Sequence, residues 1–302
     1  MSTTITVPAT TANIGPGFDC LGAALTLNNQ FSFSTTNNDE VEIAVTGIEA
    51  ENVNTTKDNL AYQAFVKFYE HLQQTPPKIR LDIQLGFPLS RGLGSSATAI
   101  VGGLMGANEL AGQPLSTSEL MQLAIAIEGH PDNVVPALLG GCRLVAGSGE
   151  QWDVCDIRWH PQIVPVLAIP NFEVSTKEAR EVLPSQYSRE DAIFNASRLG
   201  ILIRGLETAN TSWLSLGMRD RLHQPYRQSL IPGYQDVREA AIAVGAYGLA
   251  ISGAGPTLLA LSAPNDSADV AVAMTSAWQK NNINAEVKVL GIDPRGAVAE
   301  PR

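Results

Sequence analysis

The stretch Pro88-Leu89-Ser90-Arg91-Gly92-Leu93-Gly94-Ser95-Ser96 follows an alternating apolar run at 79–87 and precedes an Ala/Gly-rich run from Ser95 to about Leu110. This reads as strand, glycine turn, helix. Glycines let backbone N–H groups approach a ligand, and the first helical turn offers unpaired donors at the positive end of the dipole, so such a turn suits a phosphate. Ser95 and Ser96 add hydroxyls there. Three readings compete. A P-loop requires GxxxxGK[ST], and no lysine occurs between Lys78 and Lys177, so the lysine that reaches the outer phosphates is missing. Gly92-x-Gly94-x-x-Ala97 satisfies the dinucleotide pattern G-x-G-x-x-A. That pattern also needs a second parallel strand with an acidic residue about 20 positions on, and a helix opened by the capping box Ser116/Glu119 is expected there instead. A tight turn whose small residues only permit close packing accounts for the glycines equally well. If an anion is held, the missing lysine leaves neutralisation of a triphosphate to Mg²⁺, with Ser95 and Glu128, at the end of the next helix, as oxygen ligands. A side chain at Gly94 is expected to obstruct the phosphates while leaving the fold intact.

The elements that must carry this turn are mixed. Stretches such as TITVPA, NQFSFST, VEIAVTGI and KIRLDIQLGF read as strands. Leu60, Ala64, Phe68 and Leu72 recur at intervals of four and read as a helix capped by Asp58. After a strand at GGCRLVAG the pattern restarts, with a strand at 163–169 and helices over EDAIFNASRLGILIRGLE and PGYQDVREAAIAVGA. YGLAISGAGPTLLALS is a strand, a glycine turn and a strand, followed by a helix near 266–281 and a last strand AEVKVLGI. The whole is an α+β protein of two domains, 1–158 and 159–302, without an obvious flexible linker.

A chain of 302 residues with a formal charge of −10 and no Lys/Arg run is not built to bind nucleic acid or an anionic membrane. Cys20, Cys142 and Cys155 are scattered and lack CxxC spacing, which fits neither a disulfide framework nor a structural zinc site. No secretory leader and no apolar run of about 20 residues is present, so a cytoplasmic location is expected.

The proline, small residues and GLGSSA of the loop resemble the phosphate loop of the GHMP kinases, a family named for galactokinase, homoserine kinase, mevalonate kinase and phosphomevalonate kinase. VPATTANIGPGFDCLGAAL at 7–25 resembles the family's N-terminal motif and GLAISGAGPTLLAL at 248–261 its C-terminal glycine motif. PATTANIGPGFDCLG, EGHPDNVVPALLGG, IPNFEVSTKEAR and HQPYRQSLIPGY together resemble the branch that phosphorylates homoserine. Ser90 departs from the family, which often has glycine there.

This resemblance implies a two-domain GHMP kinase fold, with an N-terminal domain like the second domain of ribosomal protein S5 and a ferredoxin-like C-terminal domain. It implies transfer of the γ-phosphate of ATP, with Mg²⁺, to the side-chain hydroxyl of L-homoserine in threonine biosynthesis, by a cytoplasmic homodimer. Pro88, Leu89, Ser90, Arg91, Gly92, Leu93, Gly94, Ser95 and Ser96 become the nucleotide loop, and Asn59 matches a position near adenine. Pro88 ending the strand and Asn59 capping the helix are equally consistent readings. Ser95 and Glu128 become the metal ligands. A zwitterionic amino acid needs an acid for its ammonium and a guanidinium for its carboxylate: Asp19 with Asn13 suits the first, Arg180 with Arg227 the second. His130 and Asn133 are expected to touch substrate, on a turn beyond the second helix, and Gly253 and Gly255 to shape a turn facing it. Asp132 either positions the hydroxyl or accepts its proton, which makes Asp132, Asn133 and Arg180 the catalytic candidates. Another GHMP kinase acting on mevalonate or shikimate is the nearest alternative; mevalonate, lacking an ammonium, gives Asp19 nothing to pair with. A non-catalytic sensor would not need the intact Gly92, Gly94, Ser95 and Glu128.

Overall fold

In the computed structural model, residues 1–38, 40–149 and 151–301 are described. The first unit runs β1 (Ser2–Asn13), β2 (Gly17–Thr35), β3 (Glu42–Gly47), α1 (Leu60–His71), β4 (Ile79–Leu85), α2 (Ser95–Leu110), α3 (Thr117–Glu128), α4 (Pro131–Leu139), β5 (Cys142–Ser148) and β6 (Gln151–Ile157). The second continues through β7 (Val164–Pro170), α5 (Thr176–Glu181), α6 (Arg189–Thr208), α7 (Thr211–Gly217), α8 (Gln224–Arg227), α9 (Tyr234–Ala243), β8 (Gly248–Ile251), β9 (Leu258–Ser262), α10 (Ser267–Lys280) and β10 (Ala285–Val289). The last strand, β11 (Val298–Pro301), leaves the second unit and pairs antiparallel with β1, Ile5 facing Ala299. The expectation of an α+β chain holds; the return of the chain to the first sheet was not foreseen.

Seven strands form the first sheet in the order β11-β1-β2-β4-β3, with β5 on β2 and β6 on β5. Only β3–β4 is parallel among its pairings. β4 shows the period of two directly, with Ile79, Leu81, Ile83 and Leu85 buried and Arg80 and Gln84 exposed. Phe31, Phe33, Phe65, Phe68, Leu81 and Leu104 belong to the core between this sheet and its helices. The second sheet is antiparallel, β10-β7-β9-β8, and packs Val166 and Leu258 against Val237, Met274 and Trp278 of α9 and α10. Ile14, Leu21, Phe87 and Leu93 of the first unit share a third core with Leu167, Leu214 and Leu259 of the second. A shared core explains why no flexible linker separates the two.

Two local expectations need correction. The cap of α1 is Asn59, whose Oδ1 accepts from the N–H groups of Ala61 and Tyr62 at 3.0 and 3.2 Å, and not Asp58. The segment expected as a turn beyond Gly129 is the helix α4. Pro131 stands at its start, where a missing N–H costs nothing, and Val134, Val135 and Leu138 are buried in the first core.

The units meet most closely at Gly92. Its φ is +75°, and a Cβ there would lie 2.2 Å from the carbonyl oxygen of Ser252. The Ser252 hydroxyl bonds Gly92 O at 2.6 Å and Thr11 Oγ1 at 2.9 Å. Gly112 has a similar φ of +82° with nothing within 4 Å of its virtual Cβ. Gly112→Ala therefore carries backbone strain alone, about 1 kcal/mol. Gly92→Ala adds a backbone collision and should lower the urea midpoint by the equivalent of about 3 kcal/mol or more. Equal losses in the two variants would show that the close approach is not what requires glycine.

Candidate active site

A cleft of about 490 Å³ lies where the two units meet. At one end is the loop between β4 and α2. Ser90, Gly92 and Gly94 have φ of +52°, +75° and +70°, alternating with Arg91 and Leu93, which lie outside the left-handed region. Such alternation turns successive N–H groups to one side and forms an anion-binding concavity. Among the described residues the N–H groups of 90–94 take no backbone partner, and Gly94 then leads into the N-terminus of α2. The left-handed φ at Ser90 gives a physical reason for glycine at this position in related loops; serine is held there at a cost in strain.

Leu89, Ser90, Gly92, Gly94, Ser95 and Ser96 line the cleft, whereas Pro88, Arg91 and Leu93 do not. Leu93 is fully buried in the shared core. The Arg91 guanidinium turns away to Glu49 and Glu173. As side chains these three are not positioned for a nucleotide; only their main chain can serve. The expectation for Gly94 also changes. A Cβ there would lie 2.0 Å from Thr10 Oγ1, and that hydroxyl donates to Asn133 Oδ1 at 2.7 Å in the interior. Substitution would disturb the fold as well as the loop. Asn59 lines the cleft, but its Oδ1 is occupied by the α1 cap and its Nδ2 donates to Asn54 O at 2.8 Å, which leaves one amide hydrogen for a ligand.

The acidic partner is arranged differently from expectation. Ser96 Oγ donates to Glu128 Oε2 at 2.7 Å, while Ser95 Oγ has only a 3.5 Å contact to Pro88 O. Glu128, Ser95 and Ser96 all line the cleft. A hydroxyl and a carboxylate beside a phosphate-binding loop are hard oxygen donors, which fit Mg²⁺ if phosphate and water oxygens complete the shell. Among the described residues no group of three or more His, Cys, Asp or Glu side chains could hold a metal by itself.

At the other end the junction of β1 and β2 presents Asn13, the last residue of β1, and Asp19, near the start of β2, both left-handed, at φ +70° and +56°. Asn13 Oδ1 accepts from Asp19 N at 2.9 Å, and its Nδ2 donates to Gly253 O at 2.8 Å. The Asp19 carboxylate takes two bonds of 3.1 Å from Arg180 on α5, so the residues expected to receive opposite ends of a substrate are paired with each other. Arg227 on α8 is 2% exposed and donates to Ala179 O and Gly253 O, each at 3.0 Å. Gly253 thus contributes its carbonyl. Both guanidiniums face the Phe18 ring, at 5.9 and 5.0 Å from its centroid.

Between these ends, α4 begins with His130, Asp132 and Asn133. His130 Nδ1 is 2.9 Å from Asp132 Oδ1. That bond, opposed by partial burial, holds the imidazole above its ordinary value of 6.5. Asp132 is 2% exposed, and Asn133 stands against Gly94.

Several residues at the site escaped the sequence reading. His223, fully buried, stacks on Phe18 at 5.1 Å, and its Nε2 bonds Gly15 O at 2.7 Å. Burial pushes its pKa down, so it is a neutral wall behind Arg227. Asp220 receives the N–H groups of Leu222, His223 and Gln224 and fixes the start of α8. Both His223 and Phe18 lie inside motifs recognised above, which is the only signal that marked them.

The model for the N-terminal domain of GHMP kinases matches residues 59–141, and that for the C-terminal domain of GHMP kinases matches 202–281. A homoserine kinase of Trichodesmium erythraeum is 63% identical over 298 residues, 98% of each chain. One from Trichormus variabilis is 61% identical over 296 residues, again 98% of each chain. A crystal structure of homoserine kinase from Cytophaga hutchinsonii superposes with a TM-score of 0.90 at 30% identity, covering 99% of this chain and 97% of that one.

The His130–Asp132 pair generates a stability test. Its raised pKa means the bond contributes fully below the unfolded value of 6.5 and fades as pH rises through the folded value. The stability lost in His130→Gln should be larger at about pH 6 than at about pH 9. Denaturant titrations of both proteins at the two pH values check this; a pH-independent difference would mean that the pair is not ionic.

Proposed function

The chain belongs to the GHMP kinase family, and on that premise we propose that it transfers the γ-phosphoryl group of ATP to the side-chain hydroxyl of L-homoserine, giving ADP and O-phospho-L-homoserine. The observation that carries the substrate is the Asp19–Arg180 pair, with Arg227 beside it, in the same cleft as the phosphate loop. A zwitterion can exchange for that pair without leaving either charge uncompensated: its ammonium takes Asp19, its carboxylate takes Arg180 and Arg227. A neutral or purely anionic alcohol would leave Asp19 without an exchange partner.

In this reading the homoserine oxygen attacks the γ-phosphorus as the bond to the β,γ-bridging oxygen breaks. Such a transition state is loose, so alignment and charge neutralisation matter more than a strong base. Asp132 Oδ1 is already bonded to His130 and Asn133. Its Oδ2 is the atom left to orient the hydroxyl and receive its proton. The N–H groups of 90–94 and the start of α2 hold the phosphates. Glu128 with Ser96 would hold Mg²⁺, which would neutralise charge developing on the transferring group. Asn59 borders the adenine end through its remaining amide hydrogen. No helix among the described residues is long and apolar enough to cross a membrane. Family resemblance extends the same reading to a cytoplasmic homodimer, which sedimentation of the purified protein would check.

A coupled ADP-release assay with Mg²⁺-ATP and L-homoserine, mevalonate, shikimate or galactose tests the substrate. Turnover is expected with L-homoserine alone, and comparable turnover with mevalonate would overturn the reading. Glu128→Gln tests the metal: kcat should fall on the order of tenfold or more, with partial rescue by excess Mg²⁺. The melting temperature should be retained, because a carboxylate beside Gly129 at the C-terminal end of α3 opposes the helix dipole. Wild-type kcat with an unchanged Mg²⁺ requirement would remove Glu128 from the metal site.

A further inference from the structure

We propose that Arg91, although it lies in the phosphate loop, is a positioning residue for the amino acid: it clamps the loop to the segment that leads into α5 and so places Arg180. The proposal rests on the homoserine kinase reading above. The Arg91 side chain is 6% exposed. Its Nε donates to Pro170 O at 3.1 Å, Nη1 donates to Leu89 O at 2.8 Å and meets Glu173 Oε1 at 3.1 Å, and Nη2 meets Glu49 Oε1 at 3.0 Å. Three guanidinium hydrogens are thereby donated in hydrogen bonds, and Glu173 adds an ion-pair contact. Two carboxylates flank the single positive charge, which makes the cluster net negative and a poor receiver for a triphosphate.

The two sides of the clamp depend on it unequally. The loop has supports that do not involve the Arg91 side chain: Thr10 N donates to Leu93 O at 3.0 Å, Thr257 N to Arg91 O at 3.2 Å, and the Ser252 hydroxyl bonds Gly92 O. The lead-in has fewer polar ones, although Val174 is buried, Phe172 packs on the core of the second unit and Arg227 holds Ala179 of α5. Asn171 N bonds Asn284 O, Ser175 is engaged with Glu178 of its own helix, and Glu173 has Arg91 as its ion-pair partner. Val174, Ser175 and Thr176 of this segment line the cleft, and Arg180 follows on α5. Release of the clamp should therefore loosen the amino-acid end more than the nucleotide end. Glu49 adds a sign of constraint: it adopts φ +57° where its carboxylate reaches both Leu89 N and Arg91.

The test uses the full chain and first requires homoserine-dependent ADP release by the wild type. If that fails, the substrate reading fails and the clamp is not what was refuted. With it in hand, Arg91→Lys keeps the charge and loses the fork. Glu173→Gln removes the opposing charge at a side chain that is 55% exposed, where folding is not at risk. Each should raise KM for homoserine by about five- to tenfold, with KM for ATP changed less than about twofold. The double variant should be no worse than Arg91→Lys alone, because Glu173→Gln acts through the clamp that loss of the fork has already loosened. A rise in KM for ATP with homoserine unaffected would make Arg91 a nucleotide ligand and overturn the proposal. So would multiplicative effects in the double variant, or a Glu173→Gln enzyme with wild-type constants.

Discussion

Three backbone segments distant in sequence are held in direct contact through one serine hydroxyl. Ser252, in the turn between β8 and β9, binds Gly92 of the phosphate loop and Thr11 of β1, and the carbonyl of Ser252 occupies the space a Cβ on Gly92 would need. The order of dependence runs outward from there. With the loop pressed on the second unit, Gly253 O is placed to receive both Asn13 and Arg227, and Arg227 in turn holds Ala179 beside Arg180. The two ends of the cleft are thus set relative to each other mostly by main-chain groups, which have little freedom to adjust.

The charges follow an economy suited to that rigidity. Arg227 is buried, and desolvation pulls its pKa down while Asp19 pulls it up. It is accepted by carbonyls and backed by a neutral His223 and an aromatic face. A protonated imidazole in the same place would oppose the guanidinium; burial prevents that. The more exposed Arg180 is paired with the Asp19 carboxylate at the cleft. One arginine is buried against carbonyls and the other, more exposed, is held by a carboxylate.

Much of the fold was legible because it rests on local rules. The Ser116/Glu119 box caps α3 in both directions, α2 spans Ser95–Leu110 as its small residues predict, and β4 alternates. What stayed hidden depends on contacts with no local trace. α4 contains two prolines and adjacent valines, a composition that argues against helix, and it forms because tertiary burial of Val134, Val135 and Leu138 overrides propensity. The choice of Ser96 over Ser95 as the partner of Glu128 turns on which side of α2 faces α3, a matter of one residue that spacing does not decide. Arg91 was placed in the nucleotide loop by resemblance, with nothing local to show where its side chain goes; its partners lie 42 and 82 positions away, at Glu49 and Glu173.

The return of β11 to β1 bears on the order in which the chain acquires its structure. Ribosomes deliver a chain from its N-terminus at roughly 5–20 residues per second. β1 emerges long before β11, so one of its edges stays without a hydrogen-bonding neighbour until residues 298–301 arrive. For tens of seconds, roughly, the nascent first sheet presents an open edge of high β-propensity to whatever shares its surroundings. Synthesis therefore imposes a waiting period in which the growing protein is most prone to pair with the wrong strand, and the strand that ends this exposure is made long after β1.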